Sequence, residues 1–176
     1  MANVLLLYST VDGHTLDICR RLEKVVGESG HDVTLAELTG DSDPELEPFD
    51  RVVIGASIRY GKHRPAVAKF IERHRATLEA KSSAFFSVNA VARKPEKQTP
   101  ETNPYVRKFL GSISWRPPLI GIFAGKIDYP RYRFIDKTMI RFIMWMTKGP
   151  TDPTGTFEFT DWDAVDAFAR EIAAAE

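Results

Sequence analysis

The sequence has little of three things: it contains one cysteine in 176 residues, it carries no net charge, and it has no long apolar run. Because Cys19 stands alone, a disulfide framework and a cysteine-based zinc site are excluded. No apolar stretch approaches the ~20 residues of a membrane-spanning helix, and no basic region precedes the first apolar run. We therefore expect a cytoplasmic protein with a single domain over residues 1–176.

Short apolar runs alternate with helical patterns along the chain. Apolar residues three or four positions apart predict a helix after residue 13, a second helix from Pro65 to Leu78, and a last helix capped by Asp161. Near-continuous apolar strands are typical of parallel sheets buried on both faces, so the alternation predicts a doubly wound α/β fold. The five predicted strands cover residues 3–8, 33–38, 50–55, 84–88 and 119–123.

The loop between the first strand and the first helix combines hydroxyl side chains with a glycine. Such a loop presents free backbone N–H groups and the positive end of the helix dipole to an anion. It has neither the P-loop nor the dinucleotide glycine pattern and contains no Lys or Arg, which indicates a monophosphate held by neutral donors. Alternatively, its hydroxyl groups only cap the helix. The loop consists of Ser9, Thr10, Val11, Asp12, Gly13, His14 and Thr15.

Two further loops are predicted at the same edge of the sheet, where ligands bind in open α/β folds. A flat aromatic cofactor would need their backbone amides, an apolar or aromatic wall, and glycines for clearance. Tyr60 could stack on such a ring or pack on the following helix, and Arg59 could stabilise an anionic reduced form. The predicted binding residues are Ser57, Ile58, Arg59, Tyr60 and Gly61 in one loop, and Ser87, Val88, Asn89, Ala90 and Val91 in the other.

Positive charge is concentrated in one segment, because residues 91–150 contain twelve Lys and Arg against four acidic residues. This imbalance fits contact with an anionic partner, or a basic loop folded against an acidic scaffold. Residues 131–148 form one predicted helix. At ~100° per residue, Arg133, Lys137, Arg141 and Lys148 form a narrow stripe, with Met144 among them, beside a broad apolar arc. The pattern is typical of a membrane-interface helix, and by itself it slightly favours the alternative, a core helix with one exposed edge.

Several stretches together resemble the flavodoxin-type, quinone-dependent protoporphyrinogen IX dehydrogenases of bacterial haem synthesis. One departure is Val11, which stands where a basic residue is expected in this family. The resemblance covers nearly the whole chain and implies a flavodoxin-like five-stranded parallel sheet of order 2-1-3-4-5, with a basic loop and helix inserted around residues 91–150. The matching stretches are residues 8–13, 51–61, 88–97, 107–110, 115–117, 129–133 and 160–162.

The resemblance implies non-covalently bound FMN, with its phosphate on the first loop and its ring between the other two loops. It also implies the six-electron oxidation of protoporphyrinogen IX to protoporphyrin IX, with menaquinone or ubiquinone as acceptor. No catalytic acid or base is assigned. Because both substrates partition into lipid, the 131–148 helix is expected to hold the protein peripherally at the inner membrane.

Basic residues in the 92–118 loop would either bind the propionates of the porphyrinogen or attract lipid headgroups. Two other functions remain open: a flavodoxin-type FMN electron carrier without a small-molecule substrate, and a flavin-free adaptor. We expect no metal site, because His14, His31, His63 and His74 lack ligand spacing, and no nucleic-acid binding, because no recognised motif accompanies the cations. The basic residues of the loop are Arg93, Lys94, Lys97, Arg107, Lys108 and Arg116.

Overall fold

A parallel five-stranded sheet forms the centre of the molecule in a computed structural model. The structure describes residues 1–11, 13–41, 43–59 and 61–175; of residue 59 it describes the backbone alone. The parallel strands follow the order β2-β1-β3-β5-β6, which confirms the predicted 2-1-3-4-5 order of the five runs. The strands are β1 (Asn3–Ser9), β2 (Asp32–Glu37), β3 (Arg51–Arg59), β4 (Lys62–His63), β5 (Ser82–Asn89), β6 (Leu119–Ala124), β7 (Lys126–Asp128) and β8 (Thr156–Glu158).

Helices cover both faces of this sheet. On β1, Val4 and Leu6 pack on the side of the first and last helices, whereas Leu5 and Leu7 pack on the opposite side. All four side chains are buried, so the strand is apolar without interruption from Val4 to Leu7 because both of its faces lie in the core there. The helices are α1 (His14–Glu28), α2 (Pro65–Arg73), α3 (Arg75–Ala80), α4 (Pro104–Ser112), α5 (Phe134–Met146) and α6 (Trp162–Ala174).

Strand β3 is longer than predicted and does not end at Gly55. It continues to Arg59, and β4 pairs back on it in antiparallel fashion, with Ile58 opposite His63. Gly55 therefore lies inside a strand, where a Cβ atom would come within 2.0 Å of the Phe86 ring. Its small size allows this ring to pack on the sheet, and does not clear space for a ligand as the loop interpretation supposed.

Two predicted helices also differ from the structure. The helix expected from Pro65 to Leu78 is divided into α2 and α3 at His74, whose ring packs on Phe70 and whose Nε2 lies 2.6 Å from Asp43 Oδ1. The helix expected over residues 131–148 is shorter, because residues 129–131 form a separate 3-10 turn and Lys148 has a positive φ of 59°.

A small two-stranded sheet, β7 with β8, lies beyond the edge of the main sheet and has no counterpart in the sequence predictions. Its Ile127 packs with Tyr129 and with Met144 of α5 in a third hydrophobic cluster. This small sheet therefore supports α5. Among the described residues, no helix has both the length and the apolar character needed to cross a bilayer.

Candidate active site

A cleft that is partly open to solvent lies beyond the carboxyl ends of β1, β3, β5 and β6. This is the edge at which open α/β sheets bind ligands. Ten of the predicted binding residues line it: Thr10, His14, Thr15, Ser57, Ile58, Gly61, Val88, Asn89, Ala90 and Val91. Eight further residues complete the wall: Tyr105, Gly125, Lys126, Ile127, Tyr132, Ile140, Ile143 and Met144.

The first loop enters α1 through Gly13, whose φ of 86° is readily adopted only by glycine. Thr10 Oγ1 accepts a hydrogen bond of 2.9 Å from the Gly13 N–H, which closes the loop. No side chain caps α1 among the described residues, so its first N–H groups have no capping partner there.

Thr15 is 1% exposed, and its Oγ1 has no hydrogen-bond partner within the described part of the chain. A buried hydroxyl without a partner costs about 1–3 kcal/mol. Because this hydroxyl lines the cleft at a helix N-terminus, the site fits an anion with acceptor oxygens better than it fits helix capping.

His14 borders the cleft and contacts two residues around the start of α6, Thr160 and Trp162. Its Nε2 lies 2.7 Å from Thr160 Oγ1, and its ring meets that of Trp162 edge to face. Burial is the main cause that lowers the pKa of His14 below its ordinary value, with Lys126 nearby acting in the same direction. The imidazole is therefore neutral at neutral pH.

The second loop contributes backbone and one hydroxyl to the cleft. Ser57 Oγ is buried and, like Thr15 Oγ1, has no partner among the residues that the structure describes. Gly61 lines the cleft with a φ of 77°, at the turn into β4. Asp12 and Tyr60 lie outside the described residues, and so does the side chain of Arg59, so their predicted roles stay predictions.

The third loop rests on a buried polar network. The Asn89 side chain donates to Ser87 Oγ at 3.2 Å and accepts from the Asn103 side chain at 2.9 Å and from Ala92 N–H at 3.1 Å. Ser87 Oγ also lies 2.8 Å from His63 Nε2, and burial lowers the pKa of His63 to about 4. The network positions Asn89 at the cleft. Ser87 is fully buried within the same network, and this predicted binding residue does not line the cleft.

Three other predicted residues, Ser9, Val11 and Gly13, also lie off the cleft surface. Ser9 is buried at the end of β1, and Gly13 contributes the turn and the helix start. The eight lining residues that sequence reasoning missed follow β6 or belong to α4, α5 and the turn before α5. Gly125 and Lys126 could have been predicted, because both directly follow the fifth parallel strand and ligands in open α/β folds bind at the carboxyl ends of the strands.

The inner side of α5 covers one side of the cleft. Ile140, Ile143 and Met144 line it, and Met144 is buried against the small β7–β8 sheet. The helical wheel placed Met144 within the cationic stripe. The structure shows that Met144 faces inward together with Ile140 and Ile143 from the adjoining end of the apolar arc, and that the rest of this arc faces outward.

The outer face of α5 consists of six exposed side chains, which reach 82% exposure at Phe134 and 71% at Trp145. The core-helix interpretation is therefore wrong for most of this helix. Of the expected stripe, Arg133 precedes the helix and Lys148 follows it. The other members of the outer face are Ile135, Met139, Phe142 and Met146.

Two cations of the basic loop have structural partners. Arg93 donates to Ala90 O at 2.8 Å and to Thr147 O at 2.9 Å, and burial lowers its pKa. Arg116 donates to three backbone carbonyl groups near the end of α4. The side chains of Lys94, Lys97, Arg107 and Lys108 form no ion pair within the described residues, and thus remain candidates for an anionic ligand.

The comparisons with known proteins agree with this geometry. A family model described as a flavodoxin domain matches residues 5–154. The protoporphyrinogen IX dehydrogenase (quinone) of Escherichia coli (strain K12) is 48% identical over 169 residues, which is 96% of this chain and 93% of that protein. The chain belongs to this family.

A further family member, from Leishmania major, is 44% identical over 97% of this chain and 74% of its own length. Among solved structures, the Fusobacterium nucleatum flavodoxin bound to flavin mononucleotide superimposes with a TM-score of 0.52 at 12% identity, over 98% of this chain and 97% of the other. The family membership confirms the resemblance read from the sequence, and the structural match confirms the flavodoxin-like fold.

Proposed function

We propose that this protein is an FMN-dependent oxidoreductase that oxidises protoporphyrinogen IX to protoporphyrin IX and passes the electrons to a membrane quinone. The observation that carries the proposal is the pair of buried, unpartnered hydroxyl groups of Thr15 and Ser57 in one cleft at the carboxyl edge of the sheet. The relatives, which match along nearly the whole chain, are protoporphyrinogen IX dehydrogenases that use a quinone, and they suggest the substrate and the acceptor.

The cleft residues divide into a polar end and an apolar end. Thr10, Thr15 and the free N–H groups of α1 would hold the phosphate, and Ser57, Asn89 and the backbone of Gly61 would hold polar ring atoms. When bound, FMN supplies two-electron transfer, so six electrons require three turnovers. The apolar side chains that α5 contributes to the cleft would keep water away from the bound ring. No catalytic acid or base is assigned.

Anaerobic turnover with protoporphyrinogen IX and a quinone tests the reaction, with porphyrin fluorescence as the readout. The proposed enzyme produces porphyrin only when quinone is present. A flavodoxin-type carrier would bind FMN but leave the porphyrinogen unchanged, and a flavin-free adaptor would lack the ~450 nm absorption of bound flavin. Either result would contradict the proposal.

We predict that Thr10→Glu and Thr15→Glu weaken FMN binding by about 100-fold or more, because like charges juxtaposed at a binding site cost several kcal/mol. The measurement is a fluorescence titration of the apoprotein. Thr34→Glu is the matched control, since Thr34 is exposed on edge strand β2, and its affinity for FMN should equal that of the wild type. If the Thr15→Glu variant bound FMN with wild-type affinity, the proposal that this loop binds the phosphate would be contradicted.

We further propose that the outer face of α5 binds the membrane surface peripherally. Its support is the six exposed apolar side chains together with the exposed cations Arg133 and Arg141 beside them, a combination typical of helices in the lipid interface. The same helix lines the cleft with its inner side, so membrane contact would bring lipid-soluble substrates to the site.

Sedimentation with vesicles of phosphatidylcholine and phosphatidylglycerol tests this contact. Binding should increase with the anionic lipid fraction and decrease with salt, because the cations contribute within a Debye length of the surface. Membrane binding would be contradicted if the protein stayed in the supernatant at all lipid compositions. It would also be contradicted if the protein formed a stable dimer through α5.

A further inference from the structure

The loop that forms the proposed phosphate site has no positively charged Lys or Arg side chain of its own, and it contains the acidic residue Asp12. The loop covers residues 9–15, and Val11 in it is apolar. A phosphate ester carries about −1.5 to −2 charges at neutral pH, and burying such a charge without a compensating cation is costly. Either the site leaves most of this charge to solvent, or another part of the chain supplies the positive charge.

Among the described residues that line the cleft, Lys126 is the one with a positively charged side chain. It is the first residue of β7, two residues after the end of β6, and it lines the same cleft as Thr10 and Thr15. It also lines a smaller recess beside His14 at the start of α1. The side chain is half-buried, and within the described part of the chain its ammonium group forms no ion pair.

None of the acidic residues near Lys126 forms an ion pair with it within the described part of the chain. Glu158 lies directly across from it on β8, but the Glu158 carboxylate accepts a hydrogen bond of 3.0 Å from Trp162 Nε1. Asp17 lies 3.7 Å from His14 Nδ1, and Asp128 lies 4.0 Å from Arg131.

The other positively charged candidates fit less well. His14 is neutral at neutral pH because of its burial, and its one N–H, on Nε2, donates to Thr160 Oγ1, so it supplies no positive charge. The Arg131 side chain is 68% exposed, lines only the smaller recess, and has Asp128 as its neighbour. Lys126 alone among these three combines a full charge with a position on the cleft wall.

We infer that the Lys126 ammonium group is the fixed positive charge that pairs with the phosphate of the flavin, in place of a basic residue in the first loop. This inference rests on the proposed FMN site. The unpartnered Thr15 hydroxyl and the free N–H groups of α1 then bind the phosphate oxygens from one side, and Lys126 binds them from the β7–β8 sheet.

Titration of the apoprotein with FMN and with riboflavin separates the phosphate contact from the ring contacts, since riboflavin lacks the phosphate. Lys126→Gln, which keeps much of the side-chain length without the charge, should weaken FMN binding about tenfold and leave riboflavin binding unchanged. Lys126→Arg should restore FMN binding, and the salt dependence of FMN affinity should decrease in Lys126→Gln. Lys24→Gln, an exposed lysine on α1, is the matched control.

Equal FMN affinity in Lys126→Gln and the wild type would overturn the inference. A parallel loss of riboflavin affinity would also overturn it, because Lys126 would then act through the structure of the cleft. If the wild type binds neither flavin, the proposed function itself is contradicted. If the wild type binds FMN and the Lys126→Gln substitution does not change its affinity, only this inference is contradicted. Thermal unfolding of each apoprotein checks that the variants are folded.

Discussion

Helices α5 and α6 have thirteen residues each and both are amphipathic, yet they use their apolar faces in opposite ways. Helix α6 buries Val165, Phe168, Ala169 and Ile172 against the sheet and α1. Helix α5 buries Met144 alone and exposes its aromatic residues. An apolar stripe with helical periodicity therefore shows that one face of a helix is apolar, but it does not show whether this face is buried in the protein's own core.

The polar residues of the two helices explain part of this difference. Asp161 caps α6 by accepting from the N–H groups of Asp163 and Ala164, and Asp166 pairs with Arg21 of α1 at 2.6 Å. These contacts hold α6 on α1 in one orientation. Helix α5 has no side-chain cap within the described residues, and it is attached through Met144 and through Arg93 at its carboxyl end.

The largest expected effect is on stability in α6. Phe168→Ala should lower the free energy of unfolding by about 3–5 kcal/mol, because it opens a cavity among the rings of Phe86 and Phe123. Phe142→Ala on α5 is the matched variant, and it should change stability by less than about 0.5 kcal/mol because its ring is 57% exposed. Urea unfolding measures both. A large loss at Phe142 would mean that α5 is covered by protein in solution.

The second effect concerns membrane affinity. Combined Phe142→Ser and Trp145→Ser should weaken vesicle binding about 100-fold, since burying each aromatic side chain in the interface contributes on the order of 1.5 kcal/mol or more. Reversal of Arg133, Lys137 and Arg141 to Glu should weaken binding to anionic vesicles only at low salt. Sedimentation across a salt series separates the two variants. If both lose affinity with the same salt dependence, the apolar face does not enter the lipid.

The smallest expected effect is at the connection of α5 to the third loop. Arg93→Gln should destabilise the protein by about 1–2 kcal/mol, because it removes hydrogen bonds of a charged group to Ala90 O and Thr147 O. Amide exchange should accelerate mainly in the last turn of α5. Arg75→Gln removes an exposed pair with Glu79 and serves as control, with an expected loss below about 0.5 kcal/mol. Uniform acceleration in α1 and α6 would contradict this local role.

The main sheet could be predicted from the sequence because strands buried on both faces leave uninterrupted apolar runs, as at residues 3–8. The position of the loop after the first strand could be predicted, because such a loop lies at the carboxyl edge of the sheet, where open α/β folds bind ligands. Which side of α5 faces the protein could not be predicted from the sequence. On the helical wheel Met144 only interrupts a cationic stripe, and its packing partners come from the β7–β8 sheet, which the sequence does not predict. That sheet has only three residues per strand, which is too short for a periodic signal, and the position of Lys126 depends on it.

The inward side of α5 lies on the cleft, while its opposite side presents bare aromatic rings to the surroundings. The wall between the two is therefore one helix thick, about 10 Å. At a bilayer, a quinone could keep its isoprenoid tail in hydrocarbon while its headgroup reaches the rim of the cleft. Diffusion of the free acceptor through water would then form no part of the catalytic cycle.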